Sequence, residues 1–166
     1  GYRFIASNTD RSRYYVGELN GRSSKQAYMD ALHISESNII NQTFHNPLGK
    51  MNGQDICIIS LKEVSGNGLC CYRQVNDSDV LVLLEEQDYN EILDETLQRI
   101  RRDFNHISGV FSINCVFRYL LFSQEHHMED YLKTMSTLGD HAGLIGFGEH
   151  YNQQFVNQTM TCVVFE

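Results

Sequence analysis

Polar side chains interrupt the apolar segments near the end of the chain. Arg118 follows SINCVF, Glu149 follows GLIGFG, and Asn157 and Thr159 precede CVVF. Polar groups among core residues must be paired, hydrogen-bonded or turned toward a cavity, because burying them unpartnered is costly. In one interpretation, Arg118 and Glu149 form an ion pair, while the Asn157 amide and the Thr159 hydroxyl form hydrogen bonds that stabilise a turn. In the other, these groups line a ligand pocket, where Arg118 or Asn157 holds a carboxylate and Glu149 holds an amine.

The familiar catalytic motifs are missing from the sequence. It contains neither a GxSxG nucleophile motif nor an HExxH zinc motif. Residues 143–148 read GxxGxG after a predicted helix, whereas a dinucleotide loop reads GxGxxG between a strand and a helix. Cys115 and Arg118 would point to opposite faces of one strand, so the arginine would not activate the thiol unless the strand ends between them. His126 and Asp130 lie one helical turn apart without a clear third metal ligand. We therefore predict a protein that is not an enzyme and has no metal site.

Composition limits the remaining classes of function. The 166 residues fit a single domain, predicted over residues 1–166, and nine Phe with nine Tyr exclude a disordered tail. A net charge of −8 argues against nucleic-acid binding. Five cysteines with irregular spacing, in apolar segments, predict reduced and largely buried thiols. With no signal-peptide pattern and no apolar run of about 20 residues, we expect a cytoplasmic protein without a membrane span in this segment.

The order of predicted elements indicates an α+β fold. Three helices are predicted, at residues 24–33, from Asp88 to about 104, and from Ser123 to about Leu138. The strands are predicted at RFIAS, RYYVGELN, DICIISLKEV, GLCCYRQV, DVLVLLEE, GVFSINCVF, GLIGFGEHY, FVNQT and TMTCVVFE. The third to fifth of these predict an antiparallel meander, and residues 34–54 predict a loop with one short strand near 43–45. We therefore expect a mostly antiparallel or mixed sheet with about three helices packed on it.

Four segments resemble successive motifs of the FIST C-terminal domain, found in F-box and intracellular signal transduction proteins. That family's pattern runs E-x-N-G-R-x-A-x-x-x-Y, then C-x-x-R, G-F-x-x-x-G-E and N-x-T-x-T. The matching residues are Glu18, Asn20, Gly21, Arg22, Tyr28, Cys115, Arg118, Gly143, Gly148, Glu149, Asn157, Thr159 and Thr161. The resemblance covers about residues 14–166. It departs at Ser24, where the family has a small apolar residue, and in the shifted spacing of GLIGFGE.

The resemblance implies a cytoplasmic sensory domain of signal transduction that binds a small ligand such as an amino acid. It adds Asn20 and Arg22 to the candidate ligand-binding residues Arg118, Glu149, Asn157 and Thr159. The implied partners are an N-terminal FIST domain and a signalling output domain or protein. Two alternatives stay open: a protein-interaction module that contacts a partner domain, and a haem-based nitric-oxide sensor module. The sequence identifies no cofactor.

Overall fold

The computed structural model describes residues 1–53, 55–152 and 154–166. They form two compact units, Gly1–Glu86 and Gln87–Glu166. The α+β prediction is confirmed, with five α-helices in the described residues instead of about three. None of the helices described is both long and apolar enough to cross a membrane. A single domain over residues 1–166 stays a prediction.

The first unit contains an antiparallel sheet in the order β5-β4-β8-β1-β2-β7-β6, with β3 paired to β2. Its strands are β1 (Arg3–Asp10), β2 (Tyr15–Leu19), β3 (Arg22–Ser23), β4 (Leu48–Asn52), β5 (Asp55–Ile59), β6 (Leu61–Ser65), β7 (Gly68–Cys71) and β8 (Val80–Leu83). In β1, Phe4 and Ala6 are buried while Arg3 and Ile5 are exposed, the alternation expected for a strand with one face on a core, whereas β7 is buried along its whole length.

Helix α1 (Ser24–Leu32) packs on β2, β3 and β7 of this sheet. It begins as the sequence predicts, because the Ser23 side chain accepts a hydrogen bond from the backbone N–H of Gln26. Tyr28 of this helix is fully buried, and its hydroxyl donates a hydrogen bond to the Asn46 carbonyl at 2.7 Å. Burial raises the pKa of Tyr28, so this phenol stays protonated.

Three local predictions for this unit are wrong. Strand β1 continues through residues 8–10, which were expected to form the turn. Residues 43–45 follow a 3-10 turn (Glu36–Asn38) and helix α2 (Ile39–Gln42), and the strand of this region is β4. In the expected meander only the β6–β7 hairpin forms, because DICIISLKEV breaks at Ser60 and β8 pairs with β1 and β4. These pairings join strands distant in sequence, which turn residues do not specify.

The second unit contains a three-stranded mixed sheet in the order β10-β9-β13 and a separate β11–β12 hairpin. Strand β10 runs parallel to β9, and β13 runs antiparallel to it. The elements are α3 (Tyr89–Asp103), β9 (Gly109–Cys115), α4 (Val116–Gln124), α5 (Met128–Ser136), β10 (Asp140–Gly146), β11 (Glu149–Tyr151), β12 (Gln154–Val156) and β13 (Met160–Phe165). A parallel pair requires a crossover, and here α4 and α5 supply it.

The predicted helix at Asp88 is confirmed. The Asp88 side chain caps α3 by accepting from two backbone N–H groups, and the predicted apolar face is buried at Leu93, Leu97 and Ile100. The helix predicted from Ser123 to about Leu138 is present as α5, with Tyr131 and Met135 buried as predicted, but its predicted start is wrong, since Ser123 lies inside α4. The chain breaks instead at His126, whose φ is 56°, before α5 begins.

Candidate functional site

The polar residues singled out in the sequence meet at one end of the parallel pair. Strand β9 ends at Cys115, which places Arg118 on the first turn of α4. Strand β10 ends at Gly146, shortly before Glu149 begins β11. Because β13 is antiparallel, it starts at this same end, where Cys115 N–H donates to the Thr159 carbonyl at 3.1 Å. Ligands commonly bind at the carboxyl ends of parallel strands.

We call Arg118, Glu149, Asn157 and Thr159 the strand-end cluster. Its centre is the carboxylate of Glu149, which is only 3% exposed. Its Oε2 accepts from the Thr159 hydroxyl, and the Thr159 backbone N–H also donates to the carboxylate. Its Oε1 is buried and has no hydrogen-bond partner in the part of the chain that the structure describes. Burial raises the pKa of Glu149, although the Thr159 hydrogen bonds and the Arg118 charge oppose the increase.

A glycine leaves room for the side chain of Asn157 beside this cluster. Gly148 precedes Glu149 and has a φ of +129°, a conformation that L side chains rarely adopt. A Cβ at Gly148 would also lie 2.7 Å from Asn157 Oδ1. Glycine at this position therefore lets the amide of Asn157 approach the backbone beside Glu149.

Arg118 connects the cluster to the helices of the crossover. Its Nε donates to Asn114 Oδ1 at 3.2 Å, and its guanidinium lies 4.8 Å from the centroid of the Phe122 ring. This is the geometry of a cation–π contact. The positive charge is also close enough to lower the pKa of Glu149, so the structure brings all four predicted residues of this unit together.

A cavity of about 370 Å³ lies between α4, α5 and the β9–β10 pair. We call it the crossover cavity. It is lined by Ser112, Asn114, Tyr119, Phe122, Met128, Tyr131, Leu132, His141, Ala142, Gly143, Leu144 and Ile145. Among the residues that the structure describes, the lining contains no Asp, Glu, Lys or Arg, and most of it is aliphatic or aromatic. Such a cavity is suited to an apolar group.

The few polar groups of the cavity bond to one another. Ser112 Oγ is 2.8 Å from His141 Nε2, and Asn114 Nδ2 donates to the Tyr131 hydroxyl at 2.8 Å. The Tyr131 hydroxyl in turn donates to Met160 Sδ at 3.2 Å. Burial lowers the pKa of His141, so its imidazole is mostly neutral at pH 7. The cavity therefore presents a neutral surface.

Sequence reasoning missed the cavity residues. One signal was present: Val110, Ser112 and Asn114 alternate along β9 and are all buried, so two polar side chains share the core face of the strand. Tyr131 and His141 carried no such signal, because their part in the network depends on how α5 and β10 pack against β9.

Asn20 and Arg22 lie in the first unit, apart from the cluster in chain position. Asn20 and Gly21 both have positive φ and form the tight turn between β2 and β3. The Asn20 side chain accepts from Ile5 N–H at 2.7 Å, and Arg22 pairs with Asp30 at 2.6 Å on the surface. These contacts are structural, and a role of either residue in ligand binding stays a prediction.

Comparison with known proteins bears on this geometry. The FIST C domain family matches residues 25–152, which include Arg118, Glu149 and every residue that lines the crossover cavity. The N-terminal motif at residues 18–22 and the last two members of the cluster lie outside the matched range. No curated protein and no solved structure gives a match. The family match covers most of the chain and supports a sensory domain of signal transduction, and the chain belongs to the FIST C domain family.

Proposed function

We propose that this protein is a sensory domain that binds a small amino acid-like ligand at the strand-end cluster. The observation that carries the proposal is Glu149 Oε1, a buried carboxylate oxygen with no hydrogen-bond partner among the described residues. Leaving such an acceptor unsatisfied is costly. A ligand ammonium group would supply both the missing hydrogen bond and the opposite charge.

The rest of the cluster suits the other end of such a ligand. A guanidinium binds a carboxylate with two parallel hydrogen bonds, and the Arg118 charge lies near Glu149. Asn157 adds an amide that can donate to the same carboxylate. An amino acid carries the ammonium and carboxylate that these groups require.

We further propose that the domain senses its ligand without transforming it, and that it works in the cytoplasm. Burial raises the pKa of the Cys71 thiol to about 12, and it also raises the pKa of Cys70 and Cys162. Thiols with raised pKa values are poor nucleophiles at neutral pH. The proposed partners are an N-terminal FIST domain and a signalling output domain or protein, which would read the bound state.

A thermal-shift screen of the whole chain against amino acids, other small carboxylates and haem tests the proposal. A ligand at 100 times its dissociation constant stabilises the folded state by about 2.7 kcal/mol, which raises the melting temperature of a chain of this size by roughly 5–11 °C, at about 2–4 °C per kcal/mol. We expect an amino acid to give such a shift. The shift should disappear in Arg118→Ala and persist in Arg99→Ala, which removes an exposed arginine from α3.

Arg118→Ala also removes the contact with Phe122, so Arg118→Gln serves as a second variant with a longer side chain. A folded Arg118→Gln protein that still responds fully to the amino acid would contradict the proposal. A response to haem alone would favour the haem-based sensor, for which His141 offers an imidazole at the cavity.

A second function, protein interaction, is favoured by the outer face of the three-stranded sheet. Residues paired in register share a face, and this one presents Val163 and Phe165, each about half exposed. An apolar sheet face of this kind is typical of interaction surfaces. Size-exclusion chromatography with light scattering tests it: self-association that Val163→Lys abolishes would support this function, whereas a strict monomer would count against it.

A further inference from the structure

We infer that the crossover cavity receives the side chain of the bound amino acid, and that the domain therefore selects ligands with an aromatic or large apolar side chain. The inference rests on the proposed function, since it assumes that the charged groups of the ligand bind at the strand-end cluster. It adds the class of ligand, which neither the family match nor the cluster determines.

Two residues that contact Arg118 of the strand-end cluster also line the crossover cavity. Asn114, which accepts from Arg118 Nε, lines the cavity, and so does Phe122, whose ring lies under the guanidinium. A carboxylate bound to Arg118 is therefore held beside the cavity lining. The next residue of α4, Tyr119, lines the cavity as well. A side chain that extends from the bound head group along α4 enters this space.

The chemistry of the lining excludes a charged side chain. In the described part of the chain, no Asp, Glu, Lys or Arg lines the cavity, and burial keeps His141 largely neutral by lowering its pKa. A lysine or glutamate side chain would lose its hydration without gaining an opposite charge. The polar groups of Ser112, Asn114 and Tyr131 already bond within the network, so an apolar ligand group leaves them satisfied.

The volume of the cavity and the aromatic residues of its lining favour a ring. A cavity of about 150 Å³ lined by apolar side chains is enough to bind benzene, and the crossover cavity measures about 370 Å³. A phenyl or indole group therefore fits with room for its methylene link. Tyr119, Phe122 and Tyr131 offer aromatic rings against which such a group can stack or pack edge to face.

Isothermal titration calorimetry on the whole chain with four ligands tests the inference. Phenylalanine carries both charged groups and a ring, alanine lacks the ring, 3-phenylpropionate lacks the ammonium, and glutamate has a charged side chain. Burial of a phenyl group is worth roughly ten- to hundredfold in affinity. We expect phenylalanine to bind at least about tenfold more tightly than alanine, and glutamate no more tightly than alanine.

A variant at the rim of the cavity provides the structural test. Leu132 lines the cavity but is 46% exposed, so Leu132→Trp adds bulk at the entrance at little risk to folding. It should weaken phenylalanine binding about tenfold, the gain expected from the ring, and leave alanine binding unchanged. The matched control is Ile92→Trp, at a similarly exposed position on α3.

The outcomes separate this inference from the proposed function. Equal affinity for phenylalanine and alanine, or a Leu132→Trp protein that binds phenylalanine as tightly as the parent chain, overturns the inference and leaves the amino acid site standing. Absence of binding by every amino acid overturns both. Tighter binding of phenylalanine than of alanine and 3-phenylpropionate supports both, because the ring and the ammonium then each contribute.

Discussion

Glu149 carries a carboxyl group that is almost fully buried, and its titration should be visible in the stability of the protein. Burial raises its pKa in the folded state, so the folded chain binds this proton more tightly than the unfolded chain does. Stability linked to this group is therefore fully present below the unfolded pKa and is lost as the pH rises through the folded pKa. In Glu149→Gln this loss cannot occur. Relative to the parent chain, the variant should gain free energy of unfolding between pH 4 and pH 7, measured by chemical denaturation.

Glu129 provides a control with the opposite sign. It is an exposed residue of α5 whose pKa is lowered by a hydrogen bond and charge attraction from Lys133. A lowered pKa contributes stability that is present above the unfolded pKa and lost on acidification. Glu129→Gln should therefore lose stability relative to the parent chain over the same pH range, by a small amount because the pair is exposed. Parallel pH profiles for the two variants would contradict the assignment of Glu149 as the buried group.

At the scale of the helices, capping interactions distinguish a helix start from a helix interior. Asp88 caps α3 through its side chain, whereas Ser123 lies inside α4 and donates to the Tyr119 carbonyl at 2.7 Å. Loss of an N-cap costs about 0.5–2 kcal/mol, typically about 1, while a surface substitution inside a helix changes stability by about 0.5 kcal/mol or less. Asp88→Ala should therefore lower the free energy of urea unfolding by about 1 kcal/mol, and Ser123→Ala should leave it nearly unchanged. A larger loss of unfolding free energy in Ser123→Ala than in Asp88→Ala would instead support Ser123 as the helix start predicted from the sequence.

The comparison of these two residues also shows what the sequence can predict. A helix cap and an apolar helix face both depend on residues that lie close together in the sequence, so the starts of α1 and α3 were predictable. The break at His126 was not, because a positive φ in a residue other than glycine depends on the packing of both flanking helices. Strand order failed for a similar reason, since β8 pairs with β1 and β4 across long stretches of sequence.

The candidate site shows the same difference between features that depend on nearby residues and features that depend on long-range packing. Arg118 and Glu149 stood out as charges within apolar segments, and a family resemblance added weight to them. The crossover cavity could not be predicted from the sequence, because it exists only between helices and strands that come together on folding. Its polar network joins Ser112 to His141, which are 29 residues apart in the chain.

At the scale of the whole molecule, we expect the two compact units to unfold in separate transitions. Each has a core of its own, with Leu81 buried in the first and Leu97 buried in the second. Truncating a buried leucine to alanine costs about 2–5 kcal/mol. We expect calorimetry to resolve two transitions, with Leu81→Ala lowering one and Leu97→Ala lowering the other. One transition that both variants lower equally would instead establish the single domain predicted from the sequence. The cluster and the cavity lie entirely in Gln87–Glu166, so with two transitions Leu81→Ala should leave phenylalanine binding intact.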